Sequence, residues 1–339
     1  MQQFPSSSIT PREPVPLHRT EDRTQTSPFP APMPGIEGIG HALGHVLVDN
    51  VAAGKRWGKA PEFIENKIGF LQLRRMSETQ NVLSLCEAAF ADLVARHALD
   101  ASTCDCLIVI TQNPDGGRAL PHISARLHAA LELPPSAAAF DLGLGCSGYI
   151  YGLSVACSFM QVNGLRQGLL FTADPYSSIL APDDANTQLL FGDAATCTLL
   201  SHTPAYRLGR SCFATDGSRA DALRIRADGL LEMRGRDIYD FSMRAVPRQI
   251  RQCLELNHLG EEDVNCLLLH QASRFIVESI GRRMAFPHAA VPFPLSDVGN
   301  CVSSSLPLAL NRLEKSYDTV LMSGFGVGLS WGSTILFRA

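Results

Sequence analysis

The sequence predicts an α/β protein made of two similar halves, in which helices are layered on central sheets. From Ile36 onward, short apolar runs of strand length alternate with longer segments whose apolar residues recur at helical spacing. That alternation is typical of α/β layers. The second half repeats the plan of the first, because the run at 264–269 corresponds to the run at 106–110, and the segment at 303–315 to the helix predicted after Cys146.

Composition and charge exclude several classes of function. Of the 339 residues, 45% are hydrophobic, as in ordinary soluble globular proteins. The net charge of −4 gives no basic field for nucleic acid, so we expect no nucleic-acid partner. No apolar run reaches the ~18 residues that a membrane span requires.

The first 35 residues are predicted to be a disordered tail. They are rich in proline and serine and cannot bury enough apolar surface to order themselves. They also lack the apolar core of a secretory signal. The ten cysteines contain no C-x-x-C pair and His270 has no nearby ligand partner, so we predict no metal site. We expect reduced thiols in a cytoplasmic protein.

The first half is predicted element by element from apolar spacing and turn residues. The segment at 61–69 is a short helix closed by glycine, and the segment at 81–99 has the spacing of a long core helix. The other elements predicted here are strands at 36–48, 106–112, 137–144, 168–173 and 194–201, a helix at 121–131, a helix after Gly148, and a strand at 207–217 that pairs with 194–201.

The second half is predicted in the same way. A long helix at 238–259 has helical apolar spacing despite Pro247. The other elements predicted here are strands at 264–269, 291–293, 319–324 and 329–338 and helices at 273–284 and 303–315.

The stretch at 137–160 has the layout of a nucleophile site. A buried strand is predicted to end at the sharp turn Gly145-Cys146-Ser147-Gly148, and a helix follows. Backbone N–H groups and the helix dipole at such a corner favour the thiolate, which is the nucleophilic form. The layout corresponds to a nucleophile elbow with cysteine in place of serine. The alternative is a buried structural cysteine, as most free cysteines are.

Two later stretches supply candidate partners for Cys146. His270 directly follows the predicted strand at 264–269, and Asn300 precedes the helix predicted at 303–315. Cysteine, histidine and asparagine form a known set of nucleophile, base and orienting residue. Alone, His270 could be a core histidine and Asn300 a helix N-cap.

With the motif Phe191-Gly192-Asp193-Ala194 and the glycine-rich run at 324–332, these stretches resemble the β-ketoacyl-acyl-carrier-protein synthase III family. The resemblance extends from about residue 36 to the C-terminus. It implies a thiolase-like fold with two similar halves in a five-layer αβαβα arrangement. The N-terminal half, 36–205, would carry the nucleophile, and the C-terminal half, 206–339, the histidine and asparagine.

The resemblance also implies a role for each site residue. Cys146 would accept an acyl group from a thioester. His270 and Asn300 would hold the carbonyl oxygen of a malonyl thioester as carbon dioxide leaves, because N–H donors stabilise the enolate charge. The backbone N–H groups of Cys146 and Val327 would form the oxyanion hole of the acyl-enzyme. Gly326 would lie at the substrate, and no cofactor besides the thioester substrates is implied.

The chain departs from the family where coenzyme A binds. The tryptophan and arginine that sandwich adenine correspond here to Phe63 and Ala185, and an arginine that meets the phosphates corresponds to Lys67. Ser273 replaces the asparagine of the histidine motif, which helps to hold pantetheine. Loss of a stacked guanidinium removes cation–π and phosphate contacts. We therefore expect a specialised family member with weak coenzyme A binding or a carrier-bound acyl donor.

The family resemblance implies two protein partners. One is an acyl carrier protein that carries the malonyl thioester, and the other is a second copy of the chain in a homodimer. Leu120 occupies the position of the residue that reaches into the partner subunit's acyl pocket.

The predicted function is therefore a decarboxylating condensing enzyme of the synthase III type. One alternative is an acyltransferase of the same fold that passes the acyl group to an amine or hydroxyl, with His270 as general base. A second is a non-catalytic partner subunit of a synthase. A thiolase is disfavoured because no second cysteine lies in a motif that would make it the base.

Overall fold

The computed structural model describes residues 33–114 and 120–339. The tail predicted at 1–35 lies outside the described residues except for its last three, and Gly35 begins the first strand.

The elements of the first half are β1 (Gly35–Leu43), β2 (Val46–Asp49), α1 (Asn50–Lys55), α2 (Pro61–Phe63) with a π-helix at Ile64–Ile68, β3 (Gln72–Arg75), α3 (Val82–Arg96), β4 (Cys106–Ile110), α4 (Ile123–Ala130), β5 (Ala138–Leu142), α5 (Gly148–Asn163), β6 (Gln167–Ala173), α6 (Ala185–Gln188) and β7 (Ala194–Ser201).

The second half contains a similar alternation. Its elements are β8 (Tyr206–Leu208), β9 (Cys212–Thr215), β10 (Leu223–Ile225), β11 (Leu231–Met233), α7 (Gly235–Leu256), β12 (Cys266–Leu269), α8 (Arg274–Met284), α9 (Ser305–Asn311), β13 (Thr319–Gly326) and β14 (Ser330–Arg338). Short 3-10 turns connect several of them, among them Val302–Ser304 directly before α9.

The main sheet has ten strands in the order β12-β13-β14-β8-β1-β7-β6-β4-β5, with β9 also paired to β14. The run β5-β4-β6-β7-β1 belongs to the first half and the run β8-β14-β13-β12 to the second. A single residue pair of β1 and β8, Ile36 with Tyr206, joins the two runs. Pairing is parallel around β4 and between β12 and β13, and antiparallel elsewhere.

Five layers follow from the contacts of the helices. Helices α3 and α4 pack on the outer face of the first-half strands. Helix α5 contacts β4 and β6 on one side and β13 and β14 on the other, and α9 contacts β7 and β12, so both lie between the two halves. Helix α7 packs on β13 and β14 from outside and contacts α8. The predicted five-layer αβαβα arrangement is confirmed, while the boundary at 205/206 stays a prediction.

Two strand predictions are wrong. The segment at 207–217 does not pair with β7, because β7 lies between β1 and β6 and has no free edge. Its strands β8 and β9 pair with β14 instead. The segment at 291–293 forms no strand, since Pro292 has no N–H to donate, and only Ala290 bridges to Cys266.

Three predicted elements have different limits. The strand predicted at 36–48 is two strands, because β1 pairs with β7 whereas β2 pairs with β3 in a separate sheet. The helix predicted at 303–315 starts as a 3-10 turn and ends at Asn311. The helix predicted at 238–259 runs from Gly235 to Leu256.

Candidate active site

A cavity of about 270 Å³ brings together the three residues that the sequence singled out. Cys146 lies in the turn between β5 and α5, His270 directly follows β12, and Asn300 precedes the 3-10 turn before α9. All three line the cavity, and each has at most 4% of its surface exposed. The chain therefore places a thiol, an imidazole and an amide in one cavity between its two halves.

The thiol of Cys146 lies close to two backbone N–H groups that can donate to its sulfur. One belongs to Val327 and the other to Cys146 itself. These donors favour the thiolate, but burial has the larger effect and raises the pKa of Cys146 to about 12. The nearby carboxyl of Asp174, which is itself buried, acts in the same direction as burial. The expectation of a net lowered pKa at this corner is wrong for the free enzyme, because desolvation of the thiolate outweighs the donors.

Gly326 allows the end of β13 to lie directly against the nucleophile. A Cβ atom at this position would lie 2.7 Å from both Cβ and Sγ of Cys146. That is closer than non-bonded carbon and sulfur atoms approach, so only glycine permits this packing. The same close approach brings the Val327 N–H, one residue further on, to the thiol.

His270 is held by groups on two different elements. Its Nδ1 lies 2.5 Å from Oγ of Ser305, the first residue of α9. Its ring meets the ring of Phe325 edge-to-face, with centroids 5.6 Å apart. Burial lowers the pKa of His270 to about 3, so the ring is neutral at physiological pH.

The orientation of the Asn300 amide follows from its hydrogen bond. The side-chain oxygen accepts from the Val302 N–H at 3.0 Å. Because a backbone N–H can only donate, the atom it meets must be the oxygen, and Nδ2 is left as the donor group of this cavity-lining residue. Asn300 is thus oriented by the first N–H of the 3-10 turn, although the N-cap residue of that turn is Cys301, and its Nδ2 group remains for a ligand.

The residues predicted to bind coenzyme A lie at the same cavity. Phe63, Lys67, Ala185 and Ser273 all contribute to its lining. Ala185 begins α6 and presents only a methyl group. The hydroxyl of Ser273 caps α8 by accepting from the Ile276 N–H at 3.3 Å.

The cavity also has aromatic lining residues that were not predicted from the sequence, Tyr239 and Phe275. The Lys67 ammonium lies 3.8 Å from the ring centroid of Phe275, which stacks on Tyr239 with centroids 5.4 Å apart. Phe275 lies two residues after Ser273, so its position was available as a signal, whereas Tyr239 carried none. Among the described lining residues, Lys59 and Lys67 are charged and none is acidic.

Leu120 is the one predicted substrate residue that lies outside this cavity. It is 91% exposed and follows the undescribed residues 115–119. Its contact with a second subunit stays a prediction.

Residues 33–114 and 120–339 contain neither a cluster of metal-ligating side chains nor a helix suited to cross a membrane. Within these ranges, the metal-ligating side chains do not gather in a group of three or more. None of the helices in the same ranges has the length and apolar character that a membrane crossing needs.

Comparison with known proteins identifies the family. A family model described as 3-oxoacyl-[acyl-carrier-protein] synthase III matches residues 140–217, and the model of its C-terminal part matches residues 254–337. The β-ketoacyl-[acyl-carrier-protein] synthase III of Streptococcus sanguinis is 31% identical over 322 residues, which cover 89% of this chain and 98% of the relative.

Solved structures agree with this assignment. A 3-oxoacyl-(acyl-carrier-protein) synthase III crystal structure superposes with a TM-score of 0.84 at 32% identity, covering 91% of this chain and 100% of the other. The 3-oxoacyl-(acyl-carrier-protein) synthase of Burkholderia xenovorans gives a TM-score of 0.82 at 27% identity, covering 91% and 95%. The expected thiolase-like fold is confirmed by these likenesses, and the chain belongs to the 3-oxoacyl-[acyl-carrier-protein] synthase III family.

Proposed function

We propose that this protein loads an acyl group onto Cys146 and condenses it with a malonyl thioester borne by an acyl carrier protein. Membership of the family makes the chain a condensing enzyme of the β-ketoacyl synthase III type, and hence an acyltransferase. Which residues carry each step, and which thioester is the donor, are proposals. The observation that carries them is the convergence of Cys146, a neutral His270 and the Asn300 amide on one cavity.

In the loading step, the Cys146 sulfur attacks the carbonyl carbon of the donor thioester. The bond from that carbon to the donor sulfur breaks, and the proton lost by Cys146 ends on the leaving thiol. One thioester replaces another, so the acyl group stays reactive. The N–H groups of Val327 and Cys146 lie at the thiol and are suited to stabilise the oxyanion that forms there, because fixed donors need no reorganisation.

In the condensation step, the malonyl carboxylate leaves as carbon dioxide and its electron pair becomes an enolate. The imidazole of His270 and Nδ2 of Asn300 would donate hydrogen bonds to the enolate oxygen. Their neutrality suits this role, since a buried donor of fixed position stabilises charge that develops only in the transition state. The enolate carbon then attacks the acyl-Cys146 carbonyl and forms the β-ketoacyl product. The bond from that carbonyl carbon to the Cys146 sulfur breaks, and Cys146 leaves as a thiolate that takes up a proton from solvent.

The alternative acyltransferase would need His270 as a general base toward an amine or hydroxyl. An efficient base has a pKa near the working pH. Burial lowers the pKa of His270 to about 3, which makes it a weak proton acceptor. The site therefore favours condensation over transfer to such an acceptor.

The proposed donor is an acyl group on a carrier protein, with acyl-coenzyme A as a weaker substrate. Ala185 offers no guanidinium for adenine, and the Lys67 ammonium lies on the Phe275 ring. A pantetheine phosphate, which both donors possess, could still meet Lys59 and Lys67. We further propose a specialised, cytoplasmic homodimer that needs no cofactor besides its thioester substrates.

A two-readout assay tests the division of labour. Cys146 acylation is followed by intact-protein mass spectrometry. Carbon dioxide release is followed as the label lost from malonyl carrier protein that is labelled in its carboxyl group. His270→Ala and Asn300→Ala are expected to load normally and to lose decarboxylation. His45→Ala, which changes an exposed histidine away from the cavity, serves as the control. Decarboxylation at the wild-type rate in both cavity variants would contradict the assignment.

A further inference from the structure

Ser305 contacts the histidine of the site from another element. It is the first residue of α9, and its hydroxyl lies 2.5 Å from His270 Nδ1 although the two residues are 35 positions apart. Both residues are buried, with 0% and 1% of their surfaces exposed. A hydrogen bond this short between buried groups has a definite direction that can be worked out from the partners available.

Two arrangements of hydrogen are compatible with this contact. Either the Ser305 hydroxyl donates to a bare Nδ1, or an Nδ1–H group donates to the Ser305 oxygen. A neutral imidazole carries hydrogen on one nitrogen only, so the first arrangement places it on Nε2 and the second leaves Nε2 bare. The two arrangements thus give His270 opposite chemistry toward the cavity.

The surroundings of Ser305 decide between them. Within the part of the chain that the structure describes, His270 Nδ1 is the single side-chain or backbone partner of the Ser305 hydroxyl. If Nδ1 donated, the hydroxyl hydrogen would be buried without an acceptor, which is costly. If the hydroxyl donates, both groups are satisfied.

We propose that Ser305 is the positioning residue for His270, donating to Nδ1 and thereby keeping the ring hydrogen on Nε2. Two further contacts fix His270. Its backbone N–H donates a hydrogen bond to the Ser323 carbonyl at 2.8 Å, and its ring lies edge-to-face with Phe325. Nε2 of His270 has no hydrogen-bond partner among the described residues, and His270 lines the cavity. It is therefore the donor that meets the enolate oxygen, an inference that rests on the proposed function.

The tautomer can be measured without any substrate. In protein with 15N-labelled histidine, a nitrogen that bears hydrogen and a bare nitrogen have separate chemical shifts, and His270→Ala identifies the signals of His270. The wild type is expected to show hydrogen on Nε2 and a bare Nδ1. Hydrogen on Nδ1 in the wild type would overturn the proposal, whatever the enzyme catalyses.

Variants of the serine separate positioning from general stability. Ser305→Ala is expected to give a mixture of tautomers and to lower kcat for carbon dioxide release about tenfold, with KM for malonyl carrier protein and Cys146 loading little changed. Ser305→Thr, which keeps the hydroxyl, should restore the tautomer. The matched control is Ser304→Ala, which removes an equally buried hydroxyl bonded to the Ala194 carbonyl and should leave the tautomer unaltered.

The outcomes distinguish failure of this inference from failure of the proposed function. An unchanged tautomer and unchanged kcat in Ser305→Ala would refute the positioning role. An Nε2–H tautomer together with normal decarboxylation in His270→Ala would instead uphold the role of Ser305 and refute that of His270.

Discussion

Gly326→Ala is the sharpest single test of how the nucleophile is held. The new Cβ would lie 2.7 Å from Cβ and Sγ of Cys146, which is 0.7 Å inside the 3.4 Å at which ordinary van der Waals contact begins. Rotation of the Cys146 side chain would move Sγ but would not relieve the overlap with Cβ, which is bonded directly to the backbone. Either Cys146 or the end of β13, which includes Gly326, must therefore move.

The expected size of the effect follows from that overlap. Moving a reacting atom by roughly 1 Å can cost about 100-fold in rate. Overpacking of a buried site costs about 1–3 kcal/mol of folding free energy. The Val327 N–H is next in the chain to Gly326, so the same movement would draw it away from the acyl carbonyl. We expect acylation of Cys146 to slow on the order of 100-fold, with a modest loss of thermal stability.

The assay is the rate of acyl-Cys146 formation by mass spectrometry, with a thermal melt of each protein beside it. Gly143→Ala is the matched control, because it adds the same methyl group to the loop that carries Cys146, where nothing lies within 4 Å of the new Cβ. The control is expected to load at the wild-type rate. Wild-type loading by a folded Gly326→Ala variant would refute the close packing of β13 on the nucleophile.

The remaining predictions concern the nucleophile, its titration and the acyl donor. Cys146→Ala should abolish the single acyl adduct, and labelling that survives would exclude Cys146 as the nucleophile. Because burial raises the pKa of Cys146 to about 12, the thiolate fraction should still grow with pH well above neutrality. Iodoacetamide alkylation of Cys146 in the free enzyme should then rise about tenfold per pH unit between about pH 7 and pH 10, and a rate that inflects near about pH 8.5 and levels off above it would indicate an unshifted thiol. Because burial lowers the pKa of His270 to about 3, carbon dioxide release should show no inflection near pH 6.5, and one that disappears in His270→Gln would contradict a neutral donor. Ala185→Arg should improve loading from acyl-coenzyme A about tenfold relative to Ala185→Gln, and equal loading by the two variants would show that position 185 does not meet adenine.

Much of the fold could be predicted because it depends on local spacing. Apolar periodicity identified strands and helices, and the segment at 207–217 was correctly expected to be extended. The strand with which this segment pairs was not predictable from spacing. Both edges of β7 are occupied, by β1 and β6, whereas β14 has an edge that is free to pair with the segment. Similarly, the strand predicted at 291–293 failed because Pro292 removes the donor that a ladder needs.

The site residues themselves were visible in the sequence for a local reason. Cys146, His270 and Asn300 each lie at an element boundary, where strands and helices end and side chains are free to face a cavity. The residue types and their order pointed to acyl transfer before any geometry was known. The aromatic lining by Tyr239 gave no such signal, since aromatic residues at helical spacing are common in cores.

The sequence by itself thus determined most of the elements, the family and the candidate reacting side chains, since these depend on neighbouring residues and on motifs. Only the tertiary structure decided the state of those side chains. The pKa of Cys146 is raised because burial outweighs the N–H donors of Val327 and of Cys146 itself. The hydrogen on His270 is set by Ser305, which is 35 residues away in the chain and adjacent in space. Protonation depends on desolvation and on the partners within hydrogen-bond distance, and both exist only once the two halves have packed together.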